Sequence, residues 1–403
     1  MKFAHMADCH IGGWREQKMR DLSLEAFKKA IDISIEEHVD FLLISGDLFN
    51  NALPGIDSLK FAVQHLQRLK TKSIPVYIIP GSHDFSPSGK TMLDVLEETQ
   101  LVKNVVQADR ELTEKYQKLV LKFTEDKNAK ITGMVGRKGM LEKSNYESLH
   151  HETLEKEEGF KIFMFHTAIS ELKPKELVEM ESCPISLLPK GFDYYAGGHV
   201  HIVENTNLEG YKNVVYPGPT FPNNFRELTQ LHHGGFYIYD KGELQYKELK
   251  LKGVFNLQLD CNGMTPKEVQ EKIYQNLQED LNDMIVTLKL TGKLESGKLS
   301  EIDTKEIITH LYEKGAYFVM KNTSSLTSKE FEEVSVKQGS IEDMENDIIK
   351  EHGGQFNLGI PHEDQLKLIK ELLNNFHNDK KEGETVASFE ERIRKDTDHI
   401  LNL

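Results

Sequence analysis

The chain has 403 residues, of which 38% are hydrophobic and 29% are charged, and its formal net charge is −15. A chain of this length usually has more than one hydrophobic core, so we expect two or three domains. The negative net charge excludes a surface covered in basic residues. No apolar run reaches the roughly 18 residues of a membrane span, and the chain enters a strand-like segment at once, which argues against a signal peptide. Three widely spaced cysteines form neither a disulfide framework nor a zinc pattern, which favours a reducing, cytoplasmic location.

The first predicted strand runs into Asp8 and His10, just before Gly12 and Gly13. Side chains on an extended chain alternate between faces, so this spacing predicts that Asp8 and His10 point the same way while Cys9 points into the packing. A carboxylate and an imidazole on one face at the end of a strand indicate half of a metal site. Taken alone, the pattern favours the simpler interpretation, a strand end with two solvated polar residues.

Two further pairs of helix and strand follow, and polar residues again come directly after each strand. The pairs are helix 20–38 with strand 40–45 before Asp47, and helix 57–70 with strand 76–79 before His83. Near-continuous apolar runs are typical of buried parallel strands, and open α/β sheets place their ligands at the carboxyl ends of such strands. The sequence therefore predicts Asp8, Asp47 and His83 at one edge of a parallel sheet.

The second part of the chain predicts shorter strands and a second sheet. Its predicted strands are 118–123, 130–135, 160–165 before His166, 192–198 before His199 and His201, 214–219 and 235–239. We expect the last two to close the second sheet. Two sheets with helices outside them make a four-layer αββα sandwich of the α/β class.

The candidate site consists of seven residues that each follow a strand and stand beside a glycine or a turn: Asp8, His10, Asp47, His83, His166, His199 and His201. Carboxylates and neutral imidazoles together suit Mn, Fe or Zn. The set is larger than one four-coordinate ion requires, whereas two ions would use it fully and would clamp a phosphoryl displacement. The alternative, seven unrelated polar residues, does not account for their common place at strand ends.

The order of these motifs resembles the calcineurin-like metallophosphoesterases. The segments A-D-C-H-I-G, S-G-D-L-F and G-G-H-V-H further resemble the SbcD and Mre-eleven family of DNA double-strand-break repair nucleases, over roughly residues 1–240. This resemblance implies a manganese-dependent 3′–5′ exonuclease and endonuclease that acts on double-stranded and single-stranded DNA in recombinational repair. It further implies a nucleoid-associated protein of a prokaryotic cell.

By this resemblance the site holds two Mn²⁺ ions, with Fe or Zn as substitutes. Asp8, His10 and His201 hold one ion, His166 and His199 hold the other, and Asp47 bridges the two. His83 is then not a ligand but a catalytic residue that faces the scissile phosphate.

Three neighbouring positions receive more specific expectations. Ser82 stands where the family has an asparagine ligand, and its shorter hydroxyl predicts a second ion that is held more loosely or through a water. Asn50 stands where many members have a histidine, which leaves the balance of exonuclease and endonuclease action open. Asp84 is expected to orient His83 or to cap the following turn.

DNA contacts and domain boundaries complete the expectations. The candidate DNA-binding residues are Arg15, Lys18, Lys90, Arg137 and Lys138, although scattered basic residues are usually solvated surface. We predict a nuclease domain over 1–250, an α+β capping domain over 251–321, a linker over 322–339 and a helical tail over 340–403. Within the capping domain we predict strands 254–259, 284–290 and 316–320 and helices 266–281 and 304–314.

Amphipathic helices indicate two protein partners. Apolar stripes at 341–349 and 366–376 and a third helix at 388–403 predict a tail that binds another protein. The family resemblance implies that this partner is a coiled-coil ATPase of the Rad-fifty/SbcC type, bound through Ile348, Leu372 and Phe376. The alternative is that these helices pack on their own protein. Helices 57–70 and 91–99 correspond in order to the family's dimerisation helices and predict a homodimer. Their apolar positions are Leu59, Val63, Leu66, Leu93 and Leu96.

Two other function classes share part of this pattern. A phosphodiesterase of small molecules or nucleotides would use the same ligand set but would give the α+β domain and the tail no task. A binding subunit with a defective site is the third reading, and Ser82 is the feature that favours it.

Overall fold

The computed structural model describes residues 1–86, 91–112, 117–137, 143–174, 180–277, 280–329, 362–376, 378, 380 and 386–401. The sequence candidates Lys90, Lys138 and Ile348 and the predicted stripe at 341–349 lie outside these ranges. The chain divides into two compact units, Met1–Leu294 with Leu299–Leu326 and Glu295–Lys298 with Thr327–Leu403. Among the described helices, none is long and apolar enough to cross a membrane.

The first sheet has six strands in the order β14-β13-β1-β2-β3-β4. Their bounds are β1 (Lys2–Met6), β2 (Phe41–Ser45), β3 (Val76–Ile79), β4 (Lys103–Asn104), β13 (Gly234–Asp240) and β14 (Glu243–Leu249). Strands β1 to β4 are parallel, whereas β13 pairs antiparallel with β1. The prediction that 235–239 closes the second sheet is therefore wrong, because that segment extends the first sheet instead.

The second sheet also has six strands, in the order β11-β12-β10-β9-β8-β7. Their bounds are β7 (Thr124–Asp126), β8 (Ala129–Gly133), β9 (Phe160–His166), β10 (Tyr194–Gly198), β11 (Val203–Leu208) and β12 (Tyr211–Pro217). Strands β8, β9, β10 and β12 are parallel. A separate hairpin consists of β5 (Ala108–Leu112) and β6 (Gln117–Leu121).

Alternating side chains explain how the two sheets stack. Phe3 on β1 is fully buried and lies with its ring centroid 5.0 Å from Phe41 and 4.7 Å from Tyr239, on the neighbouring strands. Tyr194 of the second sheet meets the same ring edge to face at 5.0 Å. Ala4, the next residue, lies in the cluster formed with the helices. Aromatic pairs of this kind stabilise the fold by about 0.5–1.5 kcal/mol beyond their buried area. The face of β1 that carries Phe3 is therefore the face that packs against the second sheet.

Helices cover the outer faces of both sheets, which confirms the αββα sandwich. The helices of this unit are α1 (Gln17–Glu36), α2 (Ile56–Thr71), α3 (Met92–Glu98), α4 (Lys143–Glu147), α5 (His151–Glu155), α6 (Phe225–Leu231), α7 (Pro266–Asn276) and α8 (Thr304–Glu313). Phe27 and Ile31 of α1 and Leu66 of α2 are buried in the core of the first sheet. Tyr146 of α4 and Leu154 of α5 are buried against the second sheet.

The predicted α+β region has a third sheet and a core of its own. Its strands are β15 (Val254–Asp260), β16 (Ile285–Leu294) and β17 (Phe318–Ser328), in the order β15-β16-β17. Leu288, Val269 of α7 and Leu311 of α8 are buried together. The predicted linker begins too early, since 322–328 form the second part of β17 and Leu326 packs into this core.

Two helices are described in the second unit, α9 (His362–Phe376) and α10 (Val386–Leu401), close to the helices predicted there. They are joined by Asn375, whose Nδ2 donates to the carbonyl oxygen of Ile393 at 3.2 Å and to Thr397 Oγ1 at 3.0 Å. Because Asn375 is only 6% exposed, these bonds are shielded from water and tie the two helices together.

Candidate metal centre

The backbone of the candidate site is turned rather than extended. Strand β1 ends at Met6, and Asp8 and His10 have φ angles of 51° and 43°, in the left-handed region. Asp47 and His201 have φ angles of 53° and 54°. Alternation along an extended strand is therefore the wrong explanation for the placement of Asp8 and His10. Their side chains nevertheless point into one cluster. Left-handed conformations are uncommon outside glycine, and such strain gathers at functional sites.

Asp8, His10 and His201 form the first group of convergent donor atoms. The Nε2 atom of His201 lies 3.1 Å from His10 Nε2 and 3.5 Å from Asp8 Oδ1. Asp8 is fixed in turn by the backbone N–H of His199, which donates to both of its oxygens at 3.0 and 3.1 Å. Asp8 and His10 are buried at the carboxyl end of β1, and His201 comes from the loop after β10.

A second group joins Asp8, Asp47 and His166. His166 Nε2 lies 3.2 Å from Asp47 Oδ2, and its Nδ1 donates to the carbonyl oxygen of Ser45 at 2.8 Å. A carbonyl oxygen can only accept, so Nδ1 carries a proton and Nε2 is the ring nitrogen that faces Asp47. This close approach requires glycine at position 46, where an added Cβ would lie 2.2 Å from His166 Nδ1.

His83 faces the same cluster from the loop after β3. Its backbone N–H donates to Asp47 Oδ1 at 2.7 Å, and its Nδ1 donates to the carbonyl oxygen of Asn50 at 2.8 Å. Its ring centroid lies 4.8 Å from that of His10. Among the described residues, Nε2 is therefore the ring nitrogen without a hydrogen bond.

Asp84 does not orient His83, contrary to one of the two expectations for it. Its buried carboxylate accepts backbone N–H groups of Leu48, Phe49 and Gly81 at 3.1–3.2 Å. Asp84 thus joins the loop after β2 to the loop after β3. Burial and the charge of Asp47 raise the pKa of Asp84 to about 7.

Ser82 and His199 complete the predicted set, and both lie at the cluster's border. Ser82 is 5% exposed, and its hydroxyl donates to Asp47 Oδ2 at 3.4 Å, a long hydrogen bond. The His199 ring stands 5.1 Å from that of His166, centroid to centroid. The structure thus brings Ser82 and all seven residues predicted for the site together at one edge of the two sheets.

Electrostatics favour a cation at this place. Burial acts to raise the pKa of Asp47, but the charge of the neighbouring His166 ring holds it well below its usual range. Burial acts to lower the pKa of His166, yet the charges of Asp47 and Asp8 outweigh it and raise the pKa to about 9. Two buried carboxylates therefore create a negative potential that a divalent cation would neutralise.

The donor atoms fit a metal in number, type and spacing. Protein ligands about 2.0–2.2 Å from a cation stand roughly 3.0–3.5 Å apart around it, and the closest donor pairs in both groups lie 3.1, 3.2 and 3.5 Å apart. His166 Nε2 is buried and has no well-directed hydrogen-bond partner among the described residues. A buried ring nitrogen without a hydrogen bond is costly unless a bound ion satisfies it.

Two supporting groups were missed by the sequence. Glu227 on α6 accepts the Nδ1 proton of His201 at 2.9 Å. His5 on β1 bonds Tyr194 Oη and Ser45 Oγ, both at 3.0 Å, and burial lowers the pKa of this histidine to about 3. His5 therefore stays neutral and ties the two sheets together below the cluster. The pattern Asn224-x-x-Glu227 is typical of the start of a helix, so the sequence could have predicted α6. It does not indicate that Glu227 contacts His201.

The basic candidates occupy different surroundings. Arg137 stands 5.0 Å over the Phe85 ring, two residues after His83, and its buried Nε has no hydrogen-bond partner within the described ranges. Lys18 instead donates to the carbonyl oxygen of Tyr317 at 3.0 Å and so links α1 to the α+β region. Arg15 is exposed.

Comparison with known proteins extends these observations. Residues 1–203 match the family model of the calcineurin-like phosphoesterases. The chain is 25% identical over 365 residues to the DNA double-strand break repair protein Mre11 of Archaeoglobus fulgidus, covering 84% of this chain and 77% of that protein. It is 25% identical over 380 residues to the protein of the same name from Methanococcus maripaludis, covering 87% and 91%. Among solved structures, a dimetal phosphatase from Danio rerio is 13% identical with a TM-score of 0.40, covering 62% of this chain and 96% of that one.

Proposed function

Because the chain belongs to the calcineurin-like phosphoesterase family, we propose that it is a manganese-dependent DNA nuclease that trims and cuts double-strand ends in repair. The observation that carries the proposal is the cluster of donor atoms at the edge of the sheets, in a chain similar over 84–87% of its length to two archaeal proteins named for double-strand break repair. That similarity reaches well past residue 203. It therefore includes regions that a small-molecule phosphodiesterase would not need.

We assign two Mn²⁺ ions to the cluster. Asp8, His10 and His201 hold one, His166 and His199 hold the other, and Asp47 lies between them, with Ser82 beside the second. Two divalent cations supply charge stabilisation to both oxygens of a phosphoryl displacement and lower the pKa of water. The protein's part is to hold the donor atoms close together and to keep them from water, which the buried positions of Asp8, Asp47 and His166 support.

His83 is the residue we place against the scissile phosphate. Its Nδ1 proton is committed to Asn50, so the ring is held in one orientation with Nε2 available. A neutral or protonated imidazole at that point can stabilise the developing charge or donate a proton to the leaving oxygen. Its half-buried position leaves the ring accessible to a substrate.

Arg137 is the favoured contact for the DNA backbone among the basic candidates. A guanidinium stacked on Phe85, two residues after His83, with Nε buried and without a described partner, suits an anionic ligand. Arg15 is a second candidate on the exposed loop after β1. Lys18 is less suited, because it is bound to Tyr317.

We propose a homodimer through the α2 and α3 surface. Leu66, Leu93 and Leu96 are buried in the chain's own core, and Leu59 and Val63 pack partly against it. The exposed apolar positions are others, namely Leu53, Ile56 and Val95, with exposures of 65%, 83% and 47%. Large exposed apolar side chains on neighbouring elements favour a protein contact.

The tail is proposed to bind a coiled-coil ATPase of the Rad-fifty/SbcC type. Phe376 on α9 is 61% exposed although α9 and α10 are joined through Asn375. Leu372, one turn earlier, is half-buried. An exposed apolar side chain at the end of a helix can pack against a helix of another protein.

A manganese-dependent assay on blunt duplex and hairpin DNA tests the function, with a chromogenic phosphodiester as the competing substrate. We expect cleavage of both DNAs in Mn²⁺ and little turnover of the small ester. The reverse preference would favour the small-molecule phosphodiesterase. Full metal binding with no turnover of either substrate would favour the binding subunit.

A further inference from the structure

Glu227 is held by three hydrogen-bond donors in the first turn of α6. Its Oε1 accepts from His201 Nδ1 at 2.9 Å and from Asn224 Nδ2 at 2.5 Å, and its Oε2 accepts from the backbone N–H of Asn223 at 2.7 Å. The side chain is 12% exposed. A carboxylate with both oxygens engaged and little contact with water has one available orientation.

Helix α6 itself is fixed at both ends. At its start, Asn224 Oδ1 accepts the backbone N–H of Glu227 at 2.9 Å, and Leu228 is fully buried beside it. At its end, Asn256 of β15 donates through Nδ2 to the carbonyl oxygen of Thr229 at 3.1 Å. The helix therefore cannot turn without breaking these contacts, and Glu227 is set in place by the fold.

The consequence for His201 follows from the chemistry of the pair. A carboxylate oxygen accepts a hydrogen bond, so Nδ1 of His201 carries a proton and Nε2 is the nitrogen left for an ion. That Nε2 lies 3.1 Å from His10 Nε2 and 3.5 Å from Asp8 Oδ1. A histidine that donates its other N–H to a carboxylate is a better oriented and more basic ligand.

We propose that Glu227 is a positioning residue for metal binding, which fixes the tautomer and the ring rotation of His201 so that Nε2 faces Asp8 and His10. The inference rests on the metal centre of the proposed function, but not on DNA as the substrate. Helix α6, which carries none of the predicted ligands, would then contribute to metal binding through Glu227.

Titration of the metal-free full-length protein with Mn²⁺, followed by calorimetry, tests this role. We expect Glu227→Ala to bind the ion assigned to Asp8, His10 and His201 about 10–100-fold less tightly than the wild type. Glu227→Gln keeps an oxygen that accepts from His201 Nδ1, so it should recover most of the lost affinity. Thr229→Ala, on the same helix, is the matched control and should bind as the wild type does, because the hydrogen bond that its hydroxyl makes within the described ranges goes to the carbonyl oxygen of Arg226 and not to the site. If Glu227→Ala fails to fold, Glu227→Met fills a similar volume without an acceptor and takes its place.

A double-mutant cycle separates positioning from general stability. In a His201→Ala background, Glu227→Ala should cause no further loss of Mn²⁺ affinity, because the ring it orients is gone. A full additional loss in that background would overturn the inference, as would wild-type affinity in Glu227→Ala. Glu227→Gln binding as weakly as Glu227→Ala would contradict the tautomer role. A wild-type protein that takes up no Mn²⁺ would instead contradict the metal centre itself, and the inference with it.

Discussion

The imidazole of His83 donates from Nδ1 to the backbone carbonyl oxygen of Asn50 at 2.8 Å. This bond uses the main chain of Asn50, so the side chain at position 50 does not set the orientation of His83. The family's histidine at that position is absent here, yet the geometry of His83 does not depend on it. The ring is held by the loop after β2, which also provides Asp47.

His83→Ala should abolish cleavage while both metals stay bound, because we place His83 against the phosphate. General acid–base or charge stabilisation of this kind contributes about 10²–10⁴-fold in rate. Asp47→Ala should instead lose metal, since Asp47 lies within reach of His10 and His166. Metal analysis of the dialysed variants beside a duplex cleavage assay checks both, with His150→Ala as the control histidine. Equal metal loss in both variants would contradict this division of roles.

Ser82→Asn should tighten the second ion and lower the Mn²⁺ concentration that half-saturates cleavage. The serine hydroxyl stands 3.4 Å from Asp47 Oδ2, whereas an asparagine oxygen reaches one bond further toward the cluster. Ser82→Ala is the matched control, because it removes the hydroxyl without adding a donor oxygen. A raised Mn²⁺ requirement in Ser82→Asn would show that the pocket is shaped for serine.

The sequence locates the site because strand ends are local features. Apolar runs that break into Asp47, His83 or His166 can be seen without knowing which strands are neighbours, and the rule for parallel strands then places Asp47 and His83 at one edge of the first sheet. The left-handed turns at Asp8 and His10 could not be seen, since they depend on bonds to a distant loop, such as Asp8 N–H to the Gly46 carbonyl oxygen at 3.1 Å.

Pairing over long distances accounts for the remaining differences. The pattern of 234–240 correctly predicts a strand but carries no signal for its partner β1, more than 230 residues earlier. Glu227 meets His201 from 26 residues further along the chain, through a helix whose position is set by the α+β region. Residues 322–328 are rich in serine and threonine, which suggested a linker, but pairing in the third sheet and burial of Leu326 decide their structure.

Asn256→Ala should lower the free energy of unfolding of the first unit by about 1–3 kcal/mol. Asn256 Oδ1 accepts from Thr287 Oγ1 at 2.6 Å, and Thr287 is 1% exposed, so the substitution leaves a buried hydroxyl without its acceptor. It also releases α6 from β15. Urea unfolding monitored by circular dichroism checks this, with the exposed Asn276→Ala as control. An unchanged unfolding midpoint would show that the α6 contact adds no stability.

Ile56→Asp should convert the proposed homodimer to a monomer, because it places a charge on the apolar surface that Leu53, Ile56 and Val95 expose. Sedimentation velocity at micromolar concentration measures the change. Leu299→Asp is the control, since Leu299 is also exposed but belongs to the α+β region. A wild-type monomer under the same conditions would contradict the dimer outright.

Truncation at about residue 335 should leave manganese-dependent cleavage of simple DNA ends intact, because every described ligand lies before residue 202. It should abolish association with the ATPase and any stimulation by ATP.

In the full chain, Phe376→Asp should weaken association by roughly 30-fold or more, the effect of about 2 kcal/mol at an apolar contact. Lys370→Gln changes the net charge by the same amount on an exposed polar position of α9 and is the matched control. Pull-down and calorimetry with the purified ATPase measure both variants. A truncated chain that loses cleavage by itself would instead show that the tail supports its own protein, since short amphipathic helices order only on an apolar surface.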